Sequence, residues 1–305
     1  MKVVFLGTGG TIPTEKRKHP TLAFRREGEV FLLDCGEGAQ SQIFKAHLGI
    51  APIRAILVSH LHGDHVLGIP GLLMTMTQSN RSQPLLVVGP SGIAKWINHV
   101  CEDLAFHASF EIAVQEVESG PVLVCPQYQI NAFFLEHSIP TLGYQFQETE
   151  RPGRFRIEEA IRLGVPKGPL WRRLQSGSSV RLEGGREVYP KQVLGPPRPG
   201  LKIVYAVDTR PCRETVEAAL EADLLIHDGM FLSEDIDKAH ARGHSTAIEA
   251  AQVALEAKAR RLALTHVSPR YRGEENRFLK QACKIFPETI VAEDIMEIEL
   301  RHPDH

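Results

Sequence analysis

Ala55-Ile56-Leu57-Val58-Ser59-His60-Leu61-His62-Gly63-Asp64-His65 runs from an apolar stretch straight into three imidazoles and a carboxylate. The apolar part reads as a buried strand, so the ligand-type residues fall on a loop at a sheet edge. Neutral imidazole and carboxylate are donors that Zn²⁺ accepts, and to a lesser degree Mn²⁺ or Fe. Along an extended chain His60 and His62 share one side and can meet one ion. Gly63 is expected to turn the backbone sharply, letting Asp64 and His65 face a second ion. With fourteen His in 305 residues, three crowding beside one Asp is a poor accident.

Two ions need more donors than residues 60–65 supply. Three later residues share one address, since each closes an apolar run that reads as a strand. His137 follows Phe133-Phe134-Leu135-Glu136, Asp208 follows Ile203-Val204-Tyr205-Ala206-Val207, and His266 follows Leu262-Ala263-Leu264-Thr265. A strand end holds such a side chain rigidly. Asp208, with two carboxylate oxygens, is the natural bridge between the ions.

Outward from these points the chain alternates. Strands are expected at Val3–Leu6, Val30–Leu33, Ala55–Ser59 and Leu85–Val88. Helices are expected at Ala39–His47, Ile69–Gln78 and from an N-cap at Ser91 toward Leu104. Residues 110–147 are strand-rich. After residue 200 alternation resumes, with strands at Lys202–Val207, Asp223–His227, Arg261–Thr265 and Ile295–Leu300. The intervening helices are Arg213–Glu221, Ser245–Ala257 and Glu274–Phe286. This is an α/β pattern of two mixed sheets with helices on their outer faces.

Hydrophobic content of 43% and charge of 24% are those of an ordinary globular protein. No apolar stretch approaches the roughly 20 residues that span a bilayer. Met1–Leu6 runs directly into Gly7-Thr8-Gly9-Gly10, too short for a signal peptide. Five scattered cysteines without a Cys-x-x-Cys pair suggest neither a thiolate zinc site nor a disulfide framework, and a cytoplasmic location is expected. A net charge of −2 gives no global sign of nucleic-acid binding, so any polyanion contact must be local.

Residues 151–200 break the rhythm. They hold seven Pro, eight Gly, and eleven Lys or Arg against four Glu. Such a segment is either a solvated linker or a basic arm that touches a polyanion. Lys167-Gly168-Pro169-Leu170-Trp171-Arg172-Arg173-Leu174 favours the arm, because a linker has little use for Trp171 and Leu174.

His60-x-His62-x-Asp64-His65 with His137, Asp208 and His266 resembles the metallo-β-lactamase superfamily. Phe5-Leu6-Gly7-Thr8-Gly9, Asp34-Cys35-Gly36-Glu37-Gly38, Val207-Asp208-Thr209-Arg210, Gly243-His244-Ser245-Thr246 and Thr265-His266-Val267-Ser268-Pro269-Arg270-Tyr271 narrow the resemblance to the tRNase Z family. It spans essentially the whole chain and includes the Gly168-Pro169 arm. Some positions depart from the family pattern: Glu15 and Lys18 replace its usual Lys and Asn, Val207 its Gly, and Asp228-Gly229-Met230 its Glu-Ala-Thr.

The resemblance implies an αββα sandwich over residues 1–305, with a protruding basic arm for tRNA binding inserted at 151–200. It implies a zinc-dependent endoribonuclease that removes the 3′ trailer of precursor tRNA and leaves a 3′-hydroxyl, and also a homodimer. His60, His62 and His137 would hold one Zn²⁺ of each subunit, Asp64, His65 and His266 the other, and Asp208 would bridge. Asp64 would take a proton from water, and His244 would give one to the departing 3′-oxygen. Arg17, Lys167, Arg172 and Arg173 would contact substrate. Arg270 is either a phosphate clamp or a surface Arg. His227 either orients a ligand or is a buried structural residue. His19, His47, His99, His107, His240, His302 and His305 lack ligand-like settings. Two alternatives remain: a small-molecule hydrolase of the same superfamily, arylsulfatase-like or a phosphodiesterase, and a non-catalytic RNA-binding protein.

Overall fold

The computed structural model describes residues 1–302, so His305 lies outside the described residues. In chain order the first strands are β1 Lys2–Gly7, β2 Thr21–Arg26, β3 Glu29–Leu33, β4 Ile53–Leu57, β5 Leu85–Gly89 and β6 Ile112–Glu116. They continue with β7 Gly120–Cys125, β8 Tyr128–Leu135, β9 Thr141–Glu148, β10 Val180–Arg181 and β11 Glu187–Val188. The last are β12 Lys202–Ala206, β13 Leu224–Asp228, β14 Leu262–Thr265, β15 Thr289–Val291 and β16 Glu297–Glu299. One sheet has the order β16-β1-β2-β3-β4-β5-β6 and the other β15-β14-β13-β12-β9-β8-β7. Both are mixed. β3 through β6 run parallel, as do β12 through β15, and antiparallel pairs flank them.

The chain divides into two compact units. The larger takes Met1–Cys125, Gln129–Gln147 and the described residues from Leu201 on; the smaller takes Pro126–Tyr128 and Glu148–Gly200. In the larger unit each strand's alternate side chains go to opposite faces. Val4, Leu6, Ala23 and Leu32 face outward with Ile43, Leu72 and Ile97 of three helices. Val204, Leu225, Leu262 and Leu264 do the same with Ala250, Val253 and Phe278. The inner faces meet each other. Phe24 of the first sheet stacks on Phe31 at 4.7 Å and touches Phe146 of the second at 4.9 Å, pairs that contribute roughly 0.5–1.5 kcal/mol each beyond area burial. Helix, sheet, sheet, helix is the layering the resemblance implied.

Local boundaries follow local chemistry. The helix Ala247–Glu256 starts at Thr246, whose hydroxyl caps Glu249 N while Glu249 returns to Thr246 N, worth about 1 kcal/mol. Ser91 does not cap the next helix as expected. Gly92 sits there in the left-handed region (φ 100°) before Ile93–Asp103, and Glu116 Oε1 accepts from Gly92 N and Ala94 N. A carboxylate from a neighbouring strand replaces the local cap. The short strands β2 and β15 lack a strong apolar run and escape a reading by periodicity.

The smaller unit is folded around its own apolar cluster of Ala160, Leu163, Val165, Leu174, Val180, Val188 and Val193. In the helix Pro169–Gln175, Leu174 is buried and Trp171 packs on Phe155, its Nε1 donating to the Val165 carbonyl at 3.1 Å. Lys167, Arg172 and Arg173 are exposed. This unit interrupts what would otherwise be a hairpin. Gln147 and Lys202 are cross-strand partners in the antiparallel pair β9–β12, and Arg151 bridges Arg198 close to the two ends of the insertion.

Candidate metal centre

The site lies where parallel strands end, the usual place for a ligand in such sheets. β4 leads into His60, His62, Asp64 and His65; β12 into Asp208; β14 into His266. His137 follows β8 by two residues. Three residues at these strand ends, Asp34 (φ 57°), Asp208 (φ 54°) and His266 (φ 61°), adopt left-handed backbone. That conformation is uncommon for non-glycine residues, costs on the order of 1–3 kcal/mol and clusters at functional sites. Gly63 does not make the sharp turn expected of it. It begins a helical turn, Gly63–Val66, after extended His62, and this turn brings Asp64 and His65 inward.

The seven expected ligands converge. His60, His62, His137 and Asp208 form one group and Asp64, His65 and His266 another, the donor atoms of each lying within 4.8 Å of one another. Asp208 divides its oxygens between them. Oδ2 is 3.7 Å from His60 Nε2 and 3.8 Å from His137 Nε2, while Oδ1 is 3.4 Å from His65 Nε2 and 3.2 Å from His266 Nε2.

Hydrogen bonds behind the ligands fix which nitrogen is free. His65 Nδ1 donates to Asp34 Oδ2 at 2.8 Å, and His137 Nδ1 to the Gly243 carbonyl at 2.9 Å. Carboxylates and carbonyls only accept, so the neutral form of each ring carries its lone pair on Nε2; burial works against a charged His65, yet the Asp208 and Asp34 charges and hydrogen bonds raise that imidazole well above its ordinary value. His60 Nδ1 lies 2.9 Å from Ser59 Oγ, which itself donates to Asp34, and the same logic leaves the lone pair on His60 Nε2, which lies 2.9 Å from His62 Nδ1. Gly243 is required here. Its φ is 72°, and a Cβ would meet His137 Nδ1 at 2.7 Å.

Nε2 of His65, His137 and His266 and Oδ1 of Asp208 are buried without a hydrogen-bond partner. Such atoms are expensive to bury unpaired. Their convergence, with N and O donors only, fits divalent cations of the zinc type. Burial works against a charged Asp208 and Asp64, yet the surrounding imidazoles hold both carboxyls well below their usual range. Burial pushes the His60 and His137 imidazoles down, keeping them unprotonated.

His244 stands beside this centre, its ring 5.3 Å from that of His266 and 5.1 Å from that of His137. Its Nδ1 is 2.7 Å from Asp228 Oδ2. Burial alone would depress the imidazole, but the Asp228 charge and hydrogen bond lift it to about 9. Asp228 also accepts from Thr209 N and Met230 N, so it is a rigid partner. It is one of the departures from the family pattern. Val207, another, is fully buried. Glu15 lies 3.6 Å from Arg272, and Lys18 Nζ donates to the Thr14 carbonyl at 3.2 Å.

The resemblance implies that Arg17 contacts substrate. Its side chain is 9% exposed, and Nη1 donates to Thr8 Oγ1 at 2.7 Å and to the Ala292 carbonyl at 2.6 Å, so its guanidinium is spent inside the fold. Arg270 is half-exposed, its guanidinium 5.7 Å over the Phe231 ring, which in turn neighbours His244 at 6.1 Å. His227 directs Nδ1 at the Asp228 carbonyl, not at a ligand. Asp34 and Asp228, the partners of His65 and His244, escaped the reading of the sequence. Both close apolar strands, the same signal that found His137, Asp208 and His266.

Known proteins resemble this chain to different extents. A family profile described as Anti-Pycsar protein Apyc1 matches residues 1–107. The ribonuclease Z of Methanosarcina acetivorans is 46% identical over 98% of this chain and 98% of its own. Human tRNase Z, short form, superposes with a TM-score of 0.71 at 29% identity, covering 99% of this chain and 100% of that one. The metallo-β-lactamase fold protein YhfI of Bacillus subtilis superposes at 0.70 with 18% identity, over 97% and 98% of the two chains, a likeness of fold.

Proposed function

The chain belongs to the ribonuclease Z family, and from that premise we propose how this tRNA 3′-processing endoribonuclease works. His60, His62 and His137 would hold one zinc ion, Asp64, His65 and His266 a second, and Asp208 would serve both. The observation that carries this is the convergence of buried, unpartnered nitrogen and oxygen atoms at the strand ends. Full-length kinship decides against the small-molecule and non-catalytic alternatives.

When bound, the cations supply positive charge against the phosphodiester and make a water acidic enough to attack near neutral pH. Asp64, held ionised, takes the water's proton. The bond between phosphorus and the 3′-oxygen of the tRNA breaks. His244, protonated at neutral pH, gives its proton to that oxygen, which leaves as a hydroxyl. Asp228 keeps the imidazole charged and aimed. Arg270, beside His244, clamps a neighbouring phosphate.

A 3′-extended precursor tRNA tests the reading. The protein should release the trailer in one cut, lose that activity when stripped by chelator, and regain it with Zn²⁺. Cleavage that persists in metal-free protein rejects it.

Affinity for tRNA we assign to the basic 148–200 segment. Replacing residues 151–198 with a short turn should weaken binding of precursor tRNA and flatten its salt dependence, because phosphate contacts release counterions. Hydrolysis of bis(p-nitrophenyl) phosphate should continue. Unchanged tRNA affinity would assign the segment another purpose. We further propose a cytoplasmic homodimer; a species of 33.9 kDa in sedimentation would be the monomer and would count against it.

A further inference from the structure

Asp34 is fully buried, bonds one half of the centre directly and reaches the other through Ser59. Its Oδ1 accepts from Ser59 N at 2.7 Å. Its Oδ2 accepts from His65 Nδ1 at 2.8 Å, Ser59 Oγ at 2.9 Å and Tyr205 Oη at 2.8 Å. His65 belongs to one donor group, and His60, reached through Ser59 Oγ, belongs to the other. Three of these donors come from the first sheet's loops. The fourth, Tyr205, comes from β12 of the second sheet, three residues before Asp208. Its phenol is fully buried, so the hydroxyl has no water to turn to, and burial beside Asp34 keeps its proton on.

We propose that Tyr205 is a positioning residue: by bonding Asp34 across the two sheets it fixes the distance between Asp208 on one and His65 and His60 on the other. The strand that delivers the bridging carboxylate thereby also grips the group that aims two imidazoles toward it. A partner bonded directly to a ligand, as Asp34 is to His65, is worth roughly 10- to 100-fold in metal affinity, and Tyr205 acts through that partner. The proposal rests on the two-cation reading above.

A built-in comparison exists. Tyr144 also crosses between the sheets, but its hydroxyl donates to the Val58 carbonyl at 2.7 Å, where that of Tyr205 donates to Asp34. Both tyrosines can lose only their hydroxyl by substitution with Phe.

The test is Co²⁺ titration of chelator-stripped full-length protein, followed by visible absorption and by competition with a chromophoric chelator. Wild type should take up two equivalents. Tyr205→Phe should bind them about tenfold or more weakly, with altered band intensity, and its cleavage should recover at raised metal. Tyr144→Phe should bind like wild type even where its melting temperature falls. If Tyr205→Phe does not fold, Ser59→Ala must show weakened uptake, since it cuts the link from Asp34 to His60. Wild-type affinity in Tyr205→Phe, or an equal loss in Tyr144→Phe, overturns the positioning role. A wild-type chain that takes up no Co²⁺ or Zn²⁺ overturns the metal reading itself, and this inference with it.

Discussion

Asp64→Ala should slow cleavage of precursor tRNA by about a thousandfold or more, with an unchanged melting temperature for the metal-free protein. The residue carries two duties in one carboxylate. It belongs with His65 and His266 to one donor group, and it is the base proposed for the water's proton. Losing ~4 kcal/mol of transition-state stabilisation corresponds to about 10³ in rate. Asp64→Asn separates the duties, because an amide oxygen still donates to a cation but takes no proton. Metal content near wild type in Asp64→Asn together with a rate still depressed by orders of magnitude would assign the loss to proton transfer. Activity within tenfold of wild type in the alanine variant would remove Asp64 from the chemistry.

The second large effect is at the other proton. General acid catalysis contributes roughly 10²–10⁴, so His244→Ala should fall in that range. Asp228→Asn is more diagnostic. In the folded protein burial depresses the His244 imidazole and Asp228 more than reverses it, to about 9. Without that charge the depression wins, and His244 is largely unprotonated at pH 7.5. The wild-type rate should therefore decline as pH rises through about 9, and the variant's decline should move to below the ordinary histidine range. The same raised value means the His244–Asp228 pair stabilises the fold most below pH about 6.5 and ceases to do so as pH rises through about 9. A pH–rate profile with the same descending limb in wild type and Asp228→Asn would show that His244 is not the donor.

Much of this centre was legible because metal sites concentrate rare donors at strand ends, and apolar runs mark where strands end. The seven candidate ligands follow four such runs, four of them sharing the run that ends at Val58. Asp34 and Asp228 obeyed the same rule but were harder to see, since one carboxylate after a strand does not announce which imidazole it will hold. Tyr205 was invisible for another reason. Its position inside an apolar strand reads as core, and only the second sheet's approach gives its hydroxyl a carboxylate. For Arg17, nothing local says that its guanidinium turns inward to Thr8 and Ala292. Gly63 went astray because its helical turn is completed by Asp64, His65 and Val66, not by the glycine alone.

Gln147 and Lys202 face each other across β9 and β12, although more than fifty residues separate them in the chain. An insertion whose two ends already stand side by side behaves as a cassette. Evolution can lengthen, shrink or exchange it while the two strands that carry it close with nothing more than a reverse turn, so the inserted stretch can change without disturbing the strand that leads to Asp208.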